Sequence, residues 1–306
     1  MSLVARALGR GSDPEDLGPS RAHYKYLAPS IALLLVLTVL PMLFTLYLST
    51  SSLSYTSPRP PRYIGLRNYE RLLDDARFLQ SVPVSLLFIA APVSIQLVLG
   101  FIVAVIMNER LPYMRWLRFV FVAPMVIPPI AMGLMWRILY TPHLGGLNYF
   151  LSLVGIDGPG WLTEPNWALV AIIIVAVWGW TPFVGLFFLA VMQSIPEELY
   201  EAGVIDGATW VQSVRHITLP LLRPTFAFIG IFRVIESLGI FPIIYIVTNG
   251  GPATATETVN FYGFVSGFNN LRVGYASAII VVFFLMLFVI VVPTMKFLLR
   301  NIQVSD

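Results

Sequence analysis

Histidine occurs at His23, His143 and His216, in three separate segments, and cysteine does not occur at all. No metal-ligand spacing and no nucleophile with a neighbouring base can be assembled from that inventory, and no disulfide framework is open to the chain. Lys25 and Lys296 are the only lysines, and neither follows a glycine. A GxxxxGK[ST] loop, which would cradle nucleotide phosphates, is therefore excluded. The residues whose types and spacing do suggest a task are Glu201-Ala202-Gly203-Val204-Ile205-Asp206-Gly207-Ala208 and, with nine residues between it and Gly207, Ile217-Thr218-Leu219-Pro220. Carboxylates stand there beside residues small enough for close approach. That is chemistry for docking into a protein groove, not for breaking bonds.

A second set of polar side chains lies in apolar surroundings. Arg233 and Glu236 are three residues apart, hence on one helix face. An ionisable side chain at membrane depth costs about 2.5–3.5 kcal/mol, which pairing partly offsets. The two either form an ion pair turned to a neighbouring helix or line a translocation path. Gln96, Trp178, Trp180 and Thr181 are the other polar or amphipathic groups at that depth. An aromatic face beside hydrogen-bonding edges suits a polar ligand, although tryptophan also serves as an interface residue. Gln96, Trp180, Arg233 and Glu236 are the candidate substrate-path residues. Arg137, near the outer end of its span, is placed to snorkel.

The elements that must hold these residues are membrane helices. The 306 residues are 57% hydrophobic and 11% charged, with mean hydropathy +0.80, far from the quarter charged of a soluble domain. Six apolar segments run roughly over Leu27–Leu48, Val82–Met107, Phe119–Tyr140, Trp167–Met192, Phe226–Thr248 and Tyr275–Leu298. Each meets the requirement of about 20 apolar residues for a bilayer core, and each must be a helix to satisfy its own backbone in lipid. The expected fold is an all-α polytopic membrane protein. It has an N-terminal tail over 1–26, a six-span domain over 27–298 with a polar hairpin over 194–223, and a tail over 299–306. The first segment reads as an uncleaved span, too long for a signal sequence. With the termini inside, eleven basic residues of loops and tails lie inside and six outside, which favours cytoplasmic termini. The arginines Arg59, Arg62, Arg67, Arg71 and Arg77 of the first outer loop run against that rule. The formal charge of +3 is too small and scattered to suggest nucleic acid. Every span contains proline: Pro41, Pro92, Pro124 with Pro128 and Pro129, Pro182, Pro242 and Pro293. These are packing kinks or hinges of a gate.

Within the hairpin, Ser194 and Glu197 match a capping box, and Pro196 suits a first turn. Gly207 is placed to end that helix in a left-handed conformation. Thr209 through Gln212 repeats the box pattern and starts a second short helix with an apolar face of Trp210, Val211, Val214 and Ile217, which Pro220 ends. A helix lying flat on headgroups is the alternative. Anionic lipid would repel Glu197, Glu198, Glu201 and Asp206, and docking to a cytoplasmic protein fits better.

This run resembles the signature loop of membrane subunits of binding-protein-dependent ABC importers, which reads Glu-Ala-Ala, then Gly, then nine residues, then Ile-x-Leu-Pro. Glu201, Ala202, Gly207, Ile217, Leu219 and Pro220 match it, and Gly203 replaces an alanine. Ile64-Gly65-Leu66-Arg67-Asn68-Tyr69, Thr248-Asn249-Gly250-Gly251-Pro252 with Thr256-Glu257, and Gly274-Tyr275-Ala276-Ser277-Ala278 are similar to segments of the maltose-type carbohydrate branch. That branch often has an acidic residue after Phe241, where this chain has Pro242. The resemblance implies that Glu201, Ala202, Gly203, Asp206, Gly207, Ala208, Ile217, Leu219 and Pro220 couple to a separate ATPase. It also implies a second homologous permease, an external substrate-binding protein, a sugar or polyol substrate, and a bacterial or archaeal plasma membrane. ATP and magnesium would be bound by the ATPase, with no cofactor in this chain. The rivals are a secondary transporter or channel independent of ATP, which would carry more buried carboxylates than Glu236 alone, and an intramembrane enzyme, which the missing catalytic groups disfavour.

Overall fold

The computed structural model describes residues 21–109, 114–142 and 145–303. The expectations placed on Arg6, Arg10, Arg110 and His143 lie outside the described residues. Among the described residues the chain is helical, and its one β-bridge joins Ser51 to Tyr63. The first span is α1 (Arg21–Leu34) and α2 (Leu40–Ser49), joined by a π-helical turn at Leu35–Val39. A short helix, α3 (Arg67–Leu73), leads into the unbroken 32-residue α4 (Ala76–Met107). Asp75 caps α4 by accepting from the backbone N–H of Arg77 at 3.0 Å and Phe78 at 3.2 Å.

The third apolar segment is broken. Helices α5 (Met114–Val126) and α6 (Pro129–Leu139) meet at 99°. Pro128 and Pro129 withdraw two backbone donors and bar the preceding residues from helical geometry. The short helix α7 (Gly146–Leu153) precedes the long α8 (Pro165–Met192), which runs through Pro182 without a break. Beyond it come the hairpin helices α9 (Glu197–Ile205), α10 (Trp210–Ser213) and α11 (Leu219–Leu221). The expected fifth span is also interrupted. Helix α12 (Arg223–Glu236) passes through a 3₁₀ turn at Ser237–Ile240 into α13 (Phe241–Val247), with Pro242 in the first turn of α13. The short helix α14 (Val259–Phe264) and the long α15 (Val273–Gln303) follow. Among the described residues, four helices are long and apolar enough to cross a membrane, six if the bent pairs Trp116–Val126 with Pro129–Leu139 and Trp210–Leu221 with Arg223–Glu236 each count as one span.

Lipid tails compete equally for apolar side chains, so close fit holds membrane helices together. Helices α4 and α8 meet at Gly100, where a Cβ would come within 2.6 Å of Val184 Cγ1. At the hairpin end, Ala104, Met107, Phe188, Met192, Leu222 and Ile229 form a core between α4, α8 and α12. A second core, with Phe88, Ile172, Val175, Ile244 and Phe261, ties α13 and α14 to the same pair. The first span packs against α15 through α2, yet no residue of its most apolar stretch is buried.

Candidate functional site

The hairpin is built from local signals. Helix α9 begins at Pro196, whose extended backbone serves as N-cap, and Glu197 and Glu198 occupy the first turn, where the helix dipole favours negative charge. The capping box expected of Ser194 does not form. Ser194 Oγ instead donates to the Val191 carbonyl at 2.7 Å, because Ser194 still belongs to the unwinding end of α8. Gly207 has φ +75°. The Ala208 N–H reaches the Gly203 carbonyl at 2.8 Å and the Gly207 N–H reaches that of Val204 at 3.1 Å, the paired bonds of a left-handed helix stop. Thr209 and Gln212 form a reciprocal capping box at the start of α10.

Pro220 does not end the second helix. A π turn at Val214–Thr218 widens the backbone, and Leu219 N–H bonds to the Val214 carbonyl, so the proline ring is accommodated in the next turn. The chain bends by 62° one step later, between Leu221 and Arg223. The hairpin arms close on each other at Gly203, where a Cβ would stand 3.2 Å from Ile217 Cδ1, and at Tyr200, whose hydroxyl meets Thr218 Oγ1 at 3.0 Å. Glu201, Ala202, Asp206, Gly207 and Leu219 are exposed, whereas Gly203, Ala208, Ile217 and Pro220 are half-buried. Val204 and Ile205 at the tip are 71% and 85% exposed. Sequence reasoning missed these two, because an amphipathic reading assigns apolar residues to the inner face.

Three of the four candidate path residues come together from three helices. Gln96 on α4 is fully buried; its amide donates to the Ala176 carbonyl at 2.9 Å and its oxygen accepts from Arg233 Nε at 3.1 Å. Arg233 on α12 is 3% exposed, and its guanidinium lies 4.3 Å from the ring centre of Trp180 on α8. One terminal nitrogen of Arg233 is buried with no hydrogen-bond partner. Glu236, half-buried at the last residue of α12, stands apart. Among the described residues, the ion pair within 4.0 Å joins Arg77 to Glu257, not Arg233 to Glu236. Trp178 packs edge-on against Trp136, Thr181 bonds its own helix, and Arg137 reaches the Ile246 carbonyl at 3.0 Å.

At the end of the bundle opposite the hairpin lies a network that composition alone did not suggest. Arg77 forms a two-pronged bridge to Glu257, which is 2% exposed, and its guanidinium covers the Tyr262 ring at 5.1 Å. The hydroxyls of Tyr262 and Tyr275 both donate to Asp75. Burial pushes the Glu257 carboxyl above its usual 4.5, in spite of Arg77. Burial acts on Asp75 in the same direction, yet the hydrogen bonds from the two tyrosines and two backbone N–H groups outweigh it and hold that carboxyl below 3.8. The readable signal was the Asp75–Phe78 cap spacing together with the Thr256-Glu257 motif.

Residues 96–301 match the family model described as binding-protein-dependent transport system inner membrane component. The chain belongs to this family. It is thus a membrane subunit of a transport system, and its match takes in the whole hairpin. The trehalose/maltose transport system permease protein MalF of Thermococcus litoralis is 36% identical over 267 residues, 87% of this chain and 90% of that one. The sulfoquinovosyl glycerol transport system permease protein SmoG of Agrobacterium fabrum is 36% identical over 271 residues, covering 88% and 87%. The crystal structure of a bacterial ABC transporter involved in import of the acidic polysaccharide alginate shares the fold, with TM-score 0.80 at 24% identity over 91% of this chain and 95% of that one.

Proposed function

We propose that this permease forms half of the translocation path of an ATP-driven importer for a sugar or polyol, with a second homologous permease forming the other half. The hairpin over 194–223 seats in a partner ATPase, which holds ATP and magnesium, and an external binding protein delivers the substrate. The chain sits in a bacterial or archaeal plasma membrane with its tails and hairpin in the cytoplasm. The observation that carries this reading is the hairpin itself: a closed helical pair with Glu201, Ala202, Asp206 and Gly207 on its exposed surface and the apolar tip Val204–Ile205 uncovered. An uncovered apolar tip rimmed by carboxylates suits a protein groove. The names of the relatives support a carbohydrate.

Inside the membrane, Gln96, Trp180 and Arg233 supply what a polyhydroxylated molecule needs, namely fixed donors and an aromatic surface. The unpartnered Arg233 nitrogen has hydrogen-bonding capacity left for a hydroxyl.

The test is co-expression with the ATPase encoded beside this chain. The ATPase should co-purify with the wild-type permease and far less with a Gly207→Val variant that still inserts, and the permease alone should not hydrolyse ATP. ATP hydrolysis by the isolated permease, or ATPase capture indifferent to Gly207→Val, would overturn the assignment.

A further inference from the structure

The hairpin stands off from the end of α4. A cleft of about 400 Å³, lined by Val105, Asn108, Met192, Tyr200, Ser213 and Thr218 among others, separates them. One short bond bridges its rim: Trp210 Nε1–H donates to Glu109 Oε1 at 2.7 Å. Both side chains are exposed, so the contact buries little and is not core packing. Its two ends are nevertheless fixed. Trp210 opens α10 directly behind the Thr209–Gln212 capping box, and Glu109 follows the last turn of α4 with its N–H bonded to the Ile106 carbonyl. A carboxylate acceptor also makes this the stronger kind of hydrogen bond.

Helix α4 is continuous from Ala76 to Met107 and carries Gln96, the acceptor for Arg233 of α12. The hairpin is continuous with α8, which carries Trp180 and Ala176 beside the Gln96–Arg233 contact, and runs through the buried Leu222 into α12. To α4 it is joined by packing of Val214 on the shared core and by the Trp210–Glu109 bond. That bond is the directed polar link between the hairpin and the end of α4. We infer that the Trp210–Glu109 bond is a strap that makes α4 follow the hairpin, so that the intramembrane contact travels as one unit during transport. Glu109 and Trp210 are then positioning residues for coupling. This rests on the proposed docking of the hairpin to an ATPase.

The experiment uses the complex assembled from this chain, its ATPase, its partner permease and its binding protein. Trp210→Phe keeps the ring and loses the donor; Glu109→Ala loses the acceptor; Glu109→Gln keeps one. Labelled maltose taken up per ATP hydrolysed should fall about fivefold in the first two, the size expected of one lost bond, and stay near wild type in Glu109→Gln. The double variant should be no worse than either single. ATPase binding should be unchanged throughout. A readout independent of the sugar comes from spin labels on Ile106→Cys and Arg215→Cys in this cysteine-free chain. Their distance should hold on adding ATP and broaden when Trp210→Phe is added. Unchanged uptake per ATP in both single variants, additive losses, or a distance indifferent to Trp210→Phe would overturn the strap. Failure of the wild-type chain to bind the ATPase would overturn the docking reading first, and the strap with it.

Discussion

Arg233 Nε donates to Gln96 Oε1 at 3.1 Å, which ties α12 to α4 where both residues are buried. Gln96 is thus the group that bonds this cation directly, while Glu236 acts on it only by its charge from beyond ion-pair distance. Replacing Gln96 by Leu leaves a second buried guanidinium nitrogen unpaired and should cost about 3 kcal/mol. Adding Arg233→Met should recover most of that stability. Glu236→Gln should change stability little. Thermal unfolding in detergent measures all three. Sugar uptake normalised to folded protein should stay low in the Gln96→Leu, Arg233→Met double variant if the cluster lines the path. Full uptake would reduce it to packing.

Gly207 has φ +75° and no atom within 4 Å of an added Cβ. Any penalty for substitution there is conformational, about 1–2 kcal/mol for a side chain forced into the left-handed region. Gly207→Val should therefore weaken ATPase capture strongly and Gly207→Asn only mildly. Equal effects from the two would point to a steric cause, not a backbone one.

The two hydroxyl residues of the hairpin should behave differently on removal. Thr209→Ala deletes a formed capping box and should loosen α10 by about 1 kcal/mol. Ser194→Ala deletes only a bond back into α8 and should leave α9 unaffected. Amide hydrogen exchange across 197–213 distinguishes them.

The network of Asp75 and Glu257 predicts opposite responses to acid from two neighbouring carboxylates. Asp75 is held below 3.8, so its stabilisation is complete above that value and is lost as pH falls through the lower folded one. Glu257 is raised above 4.5. The folded state therefore takes up its proton more readily than the unfolded state, and stability rises as pH falls through the window just above 4.5. Thermal midpoints should rise slightly toward that window and then drop below 3.8. Glu257→Gln should abolish the rise and keep the drop; Tyr262→Phe should shrink the drop. A Glu257→Gln profile identical to wild type would show that this carboxylate does not titrate as described.

Much of this molecule could be read from residue order. The apolar runs announce α4, α8 and α15, because a span long enough for lipid has one backbone solution. The hairpin was legible at Gly207 and Thr209, where the controlling interaction lies within four residues. Reading failed where the partner is distant. Arg233 has Glu236 three residues along its own helix, yet the acceptor it bonds is 137 residues away on α4. Glu257 bonds Arg77 across 180 residues, which no local pattern reveals. Proline was also ambiguous. Pro92 and Pro182 lie inside continuous helices, whereas the Pro128–Pro129 pair breaks one. Two missing donors in succession leave a gap that one does not.

The first span has no buried residue in its most apolar stretch, while on α8 Ala168, Ala171, Ile172 and Val175 are wholly enclosed. These are two regimes of mutational freedom in one chain. Along Leu33–Phe44 no residue is enclosed by its own chain, so exchanges of one apolar residue for another there should disturb this fold little. On α8 even one methylene more or less must be absorbed by a close-packed neighbour. Lineages descended from this protein should therefore diverge quickly in the first span and slowly along α8, so that the rate of change itself becomes a map of what each helix touches.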